Sequence, residues 1–137
     1  MTKDRSYTTA IHILSALAFQ DPTAVTSEEL ARGLQTNAGL VRRVLGKLSQ
    51  AGLVDSIKGS RGGNRLAKSP EKINLKMIYL AVKNGPLFHS FEKEPFKPCP
   101  VSCQIGGILE NVYGDLEQGL LKNMEKVKLK KIMTQLN

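Results

Sequence analysis

Two adjacent arginines, Arg42 and Arg43, lie in a segment whose apolar residues repeat with helical spacing. Leu40, Val44 and Leu48 form one row of this predicted helix and leave both arginines on the outward side. Arginine is the commonest reader of guanine, because its guanidinium can donate paired hydrogen bonds to O6 and N7. The pattern therefore favours recognition of duplex DNA through the major groove.

The same outward side carries two glycines and a lysine over the predicted helix 38–51. Glycine in a helix interior costs about 1 kcal/mol, but it lets a backbone approach a groove wall closely. The preceding turn ends in side chains that suit phosphate contacts beside a helix N-terminus. The predicted DNA contacts of this region are Thr36, Asn37, Gly39, Arg42, Arg43 and Lys47.

A basic, glycine-rich loop follows between two short strand-like runs, and it reads Lys-Gly-Ser-Arg-Gly-Gly-Asn-Arg over residues 58–65. One interpretation is a flexible, solvated hairpin. We favour a DNA-binding wing that includes Gly62 among its contacts, with Arg61 at the tip in a minor groove and Lys58, Arg65 and Lys68 along phosphates. Gly62 and Gly63 would permit positive φ angles at the tight return.

Cys99 and Cys103 are the only cysteines, which is too few for a disulfide scaffold or a four-thiolate zinc site. Three interpretations remain: two ordinary thiols, a thiol switch, or an iron–sulfur or other metal site. Both residues lie near the predicted start of a long helix, where thiolate is favoured, so oxidation could act as a signal. A metal would also need His89 or an outside ligand, and we expect neither a metal site nor a cofactor.

Helical patterns surround these residues. One predicted helix covers 6–19, and a second begins after Thr26, which forms a capping-box pattern with Glu29. Asn74 can cap a helix over 75–83. Residues 84–101 contain four of the six prolines and show no clear periodicity, so we expect a loop or hinge.

A long apolar stripe begins near residue 102. Its members are Ile105, Ile108, Leu109, Val112, Leu116, Leu120 and Leu121. A single small domain has little core left for such a stripe, so we expect it to pair with the same helix of a second subunit. Residues 127–131 are expected to form a solvated basic tail. The predicted fold is mainly α with a small β-wing: a winged helix-turn-helix over 1–83, a sensor or hinge loop over 84–101, and a dimerisation helix with its tail over 102–137.

Charge is unevenly distributed along the 137 residues, whose formal net charge is +8. Residues 32–72 hold nine basic and two acidic groups, whereas residues 1–31 hold two basic and four acidic groups. Clustering of this kind is typical of a phosphate-binding surface. No apolar run approaches the roughly 18 residues of a membrane span, and no signal-type segment opens the chain, so we expect a cytoplasmic protein.

Enzymatic function is not indicated. The two histidines lie in unrelated segments, no Ser–His–Asp or Cys–His–Asp set is suggested, and no phosphate-binding glycine loop occurs. A winged helix that docks another protein is the stronger rival. Such a module would not require Arg42, Arg43 and a basic wing.

The segment from 26 to 82 resembles the Rrf-two (Rrf2) family of bacterial transcription regulators. The resemblance rests on Gly-Leu-Val-Arg-Arg-Val-Leu from Gly39, Ala-Gly-Leu-Val from Ala51, Gly-x-x-Gly-Gly from Gly59, and Pro-x-x-Ile-x-Leu-x-x-Ile from Pro70. It extends over nearly the whole chain. It implies a homodimer with one winged-helix reader per subunit, a crossed long helix, and a sensor in the loop before that helix.

Two positions depart from the family pattern. Asn64 stands where the family usually has an aromatic residue. Iron–sulfur members carry three cysteines in the sensor loop, whereas here Cys99 resembles only the last of them and Cys103 is an addition. We therefore expect a dimeric repressor that reads a pseudo-palindromic operator and is switched by oxidation or electrophiles at these thiols. An iron–sulfur or other ligand-responsive regulator of the same family, and a protein-docking module, are the alternatives.

Overall fold

A computed structural model describes residues 5–136 of the chain. Helices dominate it, and the one sheet of these residues has two antiparallel strands, so the predicted fold class is confirmed. The elements are α1 (Ser6–Gln20), α2 (Ser27–Leu34), α3 (Ala38–Gln50), β1 (Val54–Ile57), β2 (Gly63–Leu66), a 3₁₀ turn (Pro70–Lys72), α4 (Leu75–Val82), α5 (Pro100–Glu125) and α6 (Leu129–Met133).

The chain forms two compact units. The first, here called the reader unit, combines the described residues up to Lys83 with those from Met124 onward. The second, here called the α5 unit, is Asn84–Asn123. The two are described separately below.

Helix α1 is the centre of the reader unit and packs against α2, α3, α4, α6 and β2. Its inward side and the inward side of α3 are buried, and each buried Val, Leu or Ile side chain stabilises the fold by about 1.5–3 kcal/mol relative to an exposed one. The buried residues of these two helices include Ala10, Ile13, Leu14, Leu17, Val41, Val44, Leu45 and Leu48. The predicted inward face of α3 is thereby confirmed, with Leu40 half-buried at its start.

Three helices of the reader unit begin at side-chain caps, as predicted. The Thr26 hydroxyl accepts the backbone N–H of Glu29 at 3.1 Å. The side-chain oxygens of Asn37 and Asn74 each accept a backbone N–H three residues later, at 2.7 and 2.9 Å. Each cap satisfies a backbone donor that the helix itself cannot pair, which fixes the starts of α2, α3 and α4.

The C-terminal segment is part of the reader unit's core, and the prediction of a solvated tail is wrong for Leu129, which is fully buried. The backbone N–H of Leu129 donates to the carbonyl of Ile73 at 2.8 Å, and that of Leu75 donates to the carbonyl of Val127 at 2.9 Å. The apolar residues of this run alternate with lysines, which stay exposed. The basic composition of this run therefore gave no indication that Leu129 is buried.

The α5 unit starts with a long loop, since residues 84–99 contain neither helix nor strand. Stacking of the Phe88 and Tyr113 rings, with centroids 4.6 Å apart, attaches the loop to α5. Helix α5 begins at Pro100, two residues before the predicted start, because proline is well suited to the first position of a helix. None of the helices between residues 5 and 136 is long and apolar enough to cross a membrane.

Candidate nucleic-acid interface

Helix α3 is positioned by the turn that joins it to α2. Gln35 takes a left-handed backbone conformation with φ 54°, and the N–H of Thr36 donates to the carbonyl of Ala31 at 3.0 Å. Asn37 then caps α3. Two predicted contact residues, Thr36 and Asn37, thus lie in the turn immediately before the predicted recognition helix.

The outward side of α3 is open. Gly39, Arg42, Arg43 and Gly46 are exposed, and Lys47 is partly exposed. A Cβ added at Gly46 would meet no atom within 4 Å, whereas one at Gly39 would lie 3.2 Å from the capping oxygen of Asn37. This is the geometry that the predicted DNA contacts require, and the contacts themselves stay a prediction.

The two arginines differ in their surroundings. Nη1 of Arg42 lies 3.3 Å from Oε1 of Glu28, in the first turn of α2. Within the described part of the chain, no side chain pairs with Arg43 in the same way. One guanidinium is therefore held by a neighbouring helix, and the other projects freely from α3.

The wing is anchored at its base by Asn64. Its backbone exchanges hydrogen bonds with Val25 at 2.7 and 3.0 Å, and its side-chain amide also donates to the Val25 carbonyl at 3.0 Å. Gly63 (φ +150°) passes so close that an added Cβ would lie 2.7 Å from that carbonyl. A hydrogen-bonded amide thus holds the wing where the resemblance implies an aromatic ring. The return strand begins at Gly63, three residues before the predicted start at Leu66.

The tip of the wing is a glycine turn between β1 and β2, which pair from Val54–Leu66 to Ile57–Gly63. The N–H of Gly62 donates to the carbonyl of Gly59 at 3.0 Å, and Gly59 has φ +106°. The predicted positive φ is confirmed at Gly63 but wrong at Gly62. Gly62 is required for space instead, since a Cβ there would overlap the carbonyl oxygen of Ile57.

The wing's basic side chains divide into two kinds. Lys58 and Arg61 are exposed at the tip. Arg65 is half-buried, and its Nη2 lies 3.8 Å from Oδ1 of Asp21 in the loop after α1. Asp21 therefore offsets part of the charge that Arg65 could offer to a phosphate.

Cys99 and Cys103 belong to the α5 unit, whereas the residues described above belong to the reader unit. Sγ of Cys99 accepts the backbone N–H of Ser102 at 3.4 Å, so this sulfur acts as a cap for α5. Cys103 is exposed one turn later, with Sγ 3.6 Å from the carbonyl of Lys97 and 3.8 Å from that of Phe96. Residues 5–136 contain no cluster of three His, Cys, Asp or Glu side chains that could hold a metal ion.

Sequence reasoning missed the two carboxylates that contact the candidate DNA-binding arginines. No sequence pattern links Glu28 to Arg42 or Asp21 to Arg65. Each lies far from its arginine in the sequence, so helical spacing carries no signal for the pair. In a helix-turn-helix, the start of α2 packs against α3. This packing rule is the signal that could have placed Glu28 near α3.

Comparison with known proteins agrees with this geometry. Residues 4–135 match the model of the Rrf2 family, described as iron-dependent transcriptional regulators. The chain is 30% identical over 127 residues to YwnA of Bacillus subtilis, which is assigned to the HTH-type transcriptional regulators, and the match covers 93% of each chain.

Two solved structures show the same fold. IscR of T. potens superposes with a TM-score of 0.72 at 17% identity, over 98% of this chain and 88% of that one. CymR of B. subtilis, described as a global cysteine regulator, superposes with a TM-score of 0.68 at 16% identity, over 100% and 99%. The relatives are transcription regulators rather than enzymes, and regulators of this family bind DNA. With its helix-turn-helix and anchored wing, and with a family match over nearly its whole length, the chain belongs to the Rrf2 family of transcriptional regulators.

Proposed function

We propose that the protein is a homodimeric repressor that reads a pseudo-palindromic operator with α3 and the wing. The observation that supports this proposal is the outward side of α3, where Arg42 and Arg43 are exposed beside a wing held in place by Asn64. The first turns of a recognition helix contact base edges, and a basic wing adds phosphate and minor-groove contacts. Repression needs only occupancy of a promoter site, so no further surface is required.

The exposed apolar side of α5 supports the proposal of a dimer. Ile108, Val112 and Leu116 lie on one side of it and are exposed. A contiguous apolar surface of this kind marks an interaction site, and the same helix of a second copy presents a matching stripe. Two identical readers related by twofold symmetry would require an operator with the same symmetry.

The test begins with an operator selected from random duplexes and continues with fluorescence anisotropy. Arg43→Ala should weaken operator binding by roughly 1–3 kcal/mol and relax base preference at one position of each half-site. Lys58→Ala should weaken all duplexes about equally and lower the salt slope by about 1. Arg32→Ala, a change of the same charge at an exposed position of α2, is the control. If Arg43→Ala weakens every duplex equally, Arg43 is a phosphate contact and not a base reader.

We also propose that Cys99 and Cys103 form a thiol switch. A hydroperoxide would transfer one oxygen to a thiolate, which becomes a sulfenic acid, and the rest of the hydroperoxide would leave as hydroxide or alkoxide. The second thiol would then condense with the sulfenic acid to form a disulfide and release water. The N–H of Cys103 donates to the carbonyl of Cys99, so the two residues are one helical turn apart. Cβ atoms at that spacing are roughly 5–6 Å apart, and a disulfide needs about 3.5–4.5 Å. Closing the bridge would therefore distort the first turn of α5.

The switch predicts that Cys99→Ser removes the oxidant response while the DNA affinity of the reduced protein stays unchanged. Operator binding is measured before and after hydrogen peroxide, and mass spectrometry of the same samples detects the loss of two hydrogens that a disulfide produces. Cys103→Ser should also prevent the disulfide. A wild-type oxidant response that survives in Cys99→Ser would contradict the proposal.

An iron–sulfur cluster is the alternative signal, since the family description names iron. Protein thiolates commonly supply all four ligands of such clusters, whereas this chain has two cysteines and no metal-ligand cluster among residues 5–136. The side chains present do not fit a cluster held by one subunit. Iron content and visible absorption of protein purified without oxygen test this alternative directly.

A further inference from the structure

The ion pair between Glu28 and Arg42 joins two different helices on the surface that α3 presents. It links Nη1 of Arg42 to Oε1 of Glu28 at 3.3 Å. Both side chains remain more than half exposed, at 59% and 65%. The pair is therefore accessible from the side on which DNA is proposed to bind.

We propose that Glu28 is a positioning residue that holds the Arg42 guanidinium for guanine recognition and thereby sets base selectivity. This inference rests on the proposed function, in which α3 reads bases. The guanidinium has five N–H donors in a planar fork, so a carboxylate bound at Nη1 leaves donors for O6 and N7 of guanine. Ordering a free arginine on binding is unfavourable, and Glu28 removes part of that penalty before DNA arrives.

The carboxylate also repels the phosphates that any duplex brings, so it weakens binding to all sequences by a similar amount. This repulsion lowers general affinity, whereas the held arginine supplies the difference in affinity between sequences. Loss of Glu28 should therefore lower discrimination without lowering affinity for unrelated DNA.

Glu29 provides a matched control one residue away. It is exposed in the same first turn of α2 and carries the same charge, but it forms no ion pair with a described residue. Its backbone N–H binds the Thr26 cap, and glutamine at this position preserves the capping-box pattern. Glu28→Gln and Glu29→Gln thus remove equal charge, and only the first affects Arg42.

The experiment measures the affinity of the full chain and its variants for the selected operator, for each single base-pair variant and for an unrelated duplex. Glu28→Gln should lower discrimination about three- to tenfold at the position that Arg42→Ala relaxes, a size expected for freeing one long side chain. Binding to the unrelated duplex should stay equal or become tighter. Glu29→Gln should keep wild-type discrimination, and Glu28→Gln combined with Arg42→Ala should discriminate between bases no better and no worse than Arg42→Ala alone.

The outcomes separate this inference from the proposed function. If Arg42→Ala relaxes one position and Glu28→Gln leaves it as selective as in the wild type, the positioning role is overturned and base reading stands. If Arg42→Ala relaxes no position, the assignment of Arg42 as a base reader fails and the positioning role fails with it. A uniform loss on all duplexes with a lower melting temperature in Glu28→Gln would show a merely structural role and overturn the inference.

Discussion

The reader unit and the α5 unit use apolar residues in opposite ways. In the reader unit, apolar side chains of α1, α3, α4 and α6 are buried against one another. In the forty residues of Asn84–Asn123, only Leu121 is buried. Eight large apolar side chains there are exposed: Leu87, Phe88, Phe91, Phe96, Val101, Ile108, Val112 and Leu116. The reader unit therefore has a core of its own, and the α5 unit presents apolar surface that a partner would cover.

This contrast separates two kinds of stability. The reader unit is stabilised within one chain, so its melting temperature should be independent of protein concentration. A unit that depends on a second copy gains stability by mass action. Changes in the two units should therefore affect different measurements.

The largest expected effect comes from a charge placed in the α5 stripe. Ile108→Glu would bury an unpaired carboxylate in the proposed dimer interface, which is strongly unfavourable. Sedimentation should show a monomer, and operator affinity should fall by about a hundredfold or more because the two half-sites no longer bind together. The melting transition of the reader unit should persist.

Gln118→Glu is the control for that change, because residue 118 is exposed and lies roughly 120° around α5 from the middle of the stripe formed by Ile108, Val112 and Leu116. It should remain a dimer with wild-type affinity. A dimer that survives Ile108→Glu would show that the stripe is not the interface. The exposed apolar surface of the α5 unit would then need a different partner.

The second effect concerns the base of the wing. Gly63→Ala places a Cβ 2.7 Å from the backbone of Val25 at φ +150°, so the free energy of unfolding of the reader unit should fall by about 1–3 kcal/mol. Gly46→Ala is the matched glycine, since nothing lies within 4 Å of its added Cβ. It should raise stability by up to about 1 kcal/mol. Urea unfolding measures both, and equal stability of the two variants would contradict the close contact.

Local patterns were sufficient to predict most of the reader unit. The capping residues Thr26, Asn37 and Asn74, the inward side of α3 and the order of elements all depend on neighbours within about four residues. Such interactions have fixed spacings in the sequence. The outward position of Arg42 and Arg43 follows from the same periodicity.

Features that depend on distant contacts could not be predicted. Leu129 is buried because its backbone pairs with Ile73, and the surrounding lysines gave the opposite expectation. Asn64 anchors the wing through Val25, and Glu28 holds Arg42 from another helix. Each pair is separated by more than ten residues, so it has no periodic signature in a single sequence.

A smaller effect concerns a tyrosine hydrogen bond within the reader unit. The Tyr7 hydroxyl donates to the carbonyl of Leu75 at 3.1 Å, and burial, with a further contribution from Tyr79, raises the pKa of Tyr7 above its ordinary value of 10.0. The folded state thus disfavours ionisation, so this stabilisation is complete below pH 10 and declines as the pH rises above it. Tyr7→Phe should lower the free energy of unfolding by about 0.5–1.5 kcal/mol at pH 7. The difference in the free energy of unfolding between wild type and Tyr7→Phe should decrease above pH 10. An increase in that difference above pH 10 would contradict this account.

The smallest effect tests the sulfur cap of α5. Sulfur is a weak hydrogen-bond acceptor, so loss of the Cys99 contact to the Ser102 N–H should cost about 0.5 kcal/mol, the lower end for helix caps. Cys99→Ala should speed hydrogen exchange at the Ser102 amide by roughly two- to threefold. Cys99→Ser should slow it, because a hydroxyl caps better than a thiol. Exchange at Leu40, whose N–H is capped by Asn37 in the reader unit, should not change in either variant. Equal rates at Ser102 in the alanine and serine variants would mean that the side chain at 99 does not cap α5, and any effect of oxidation on this helix would then have to act through Cys103.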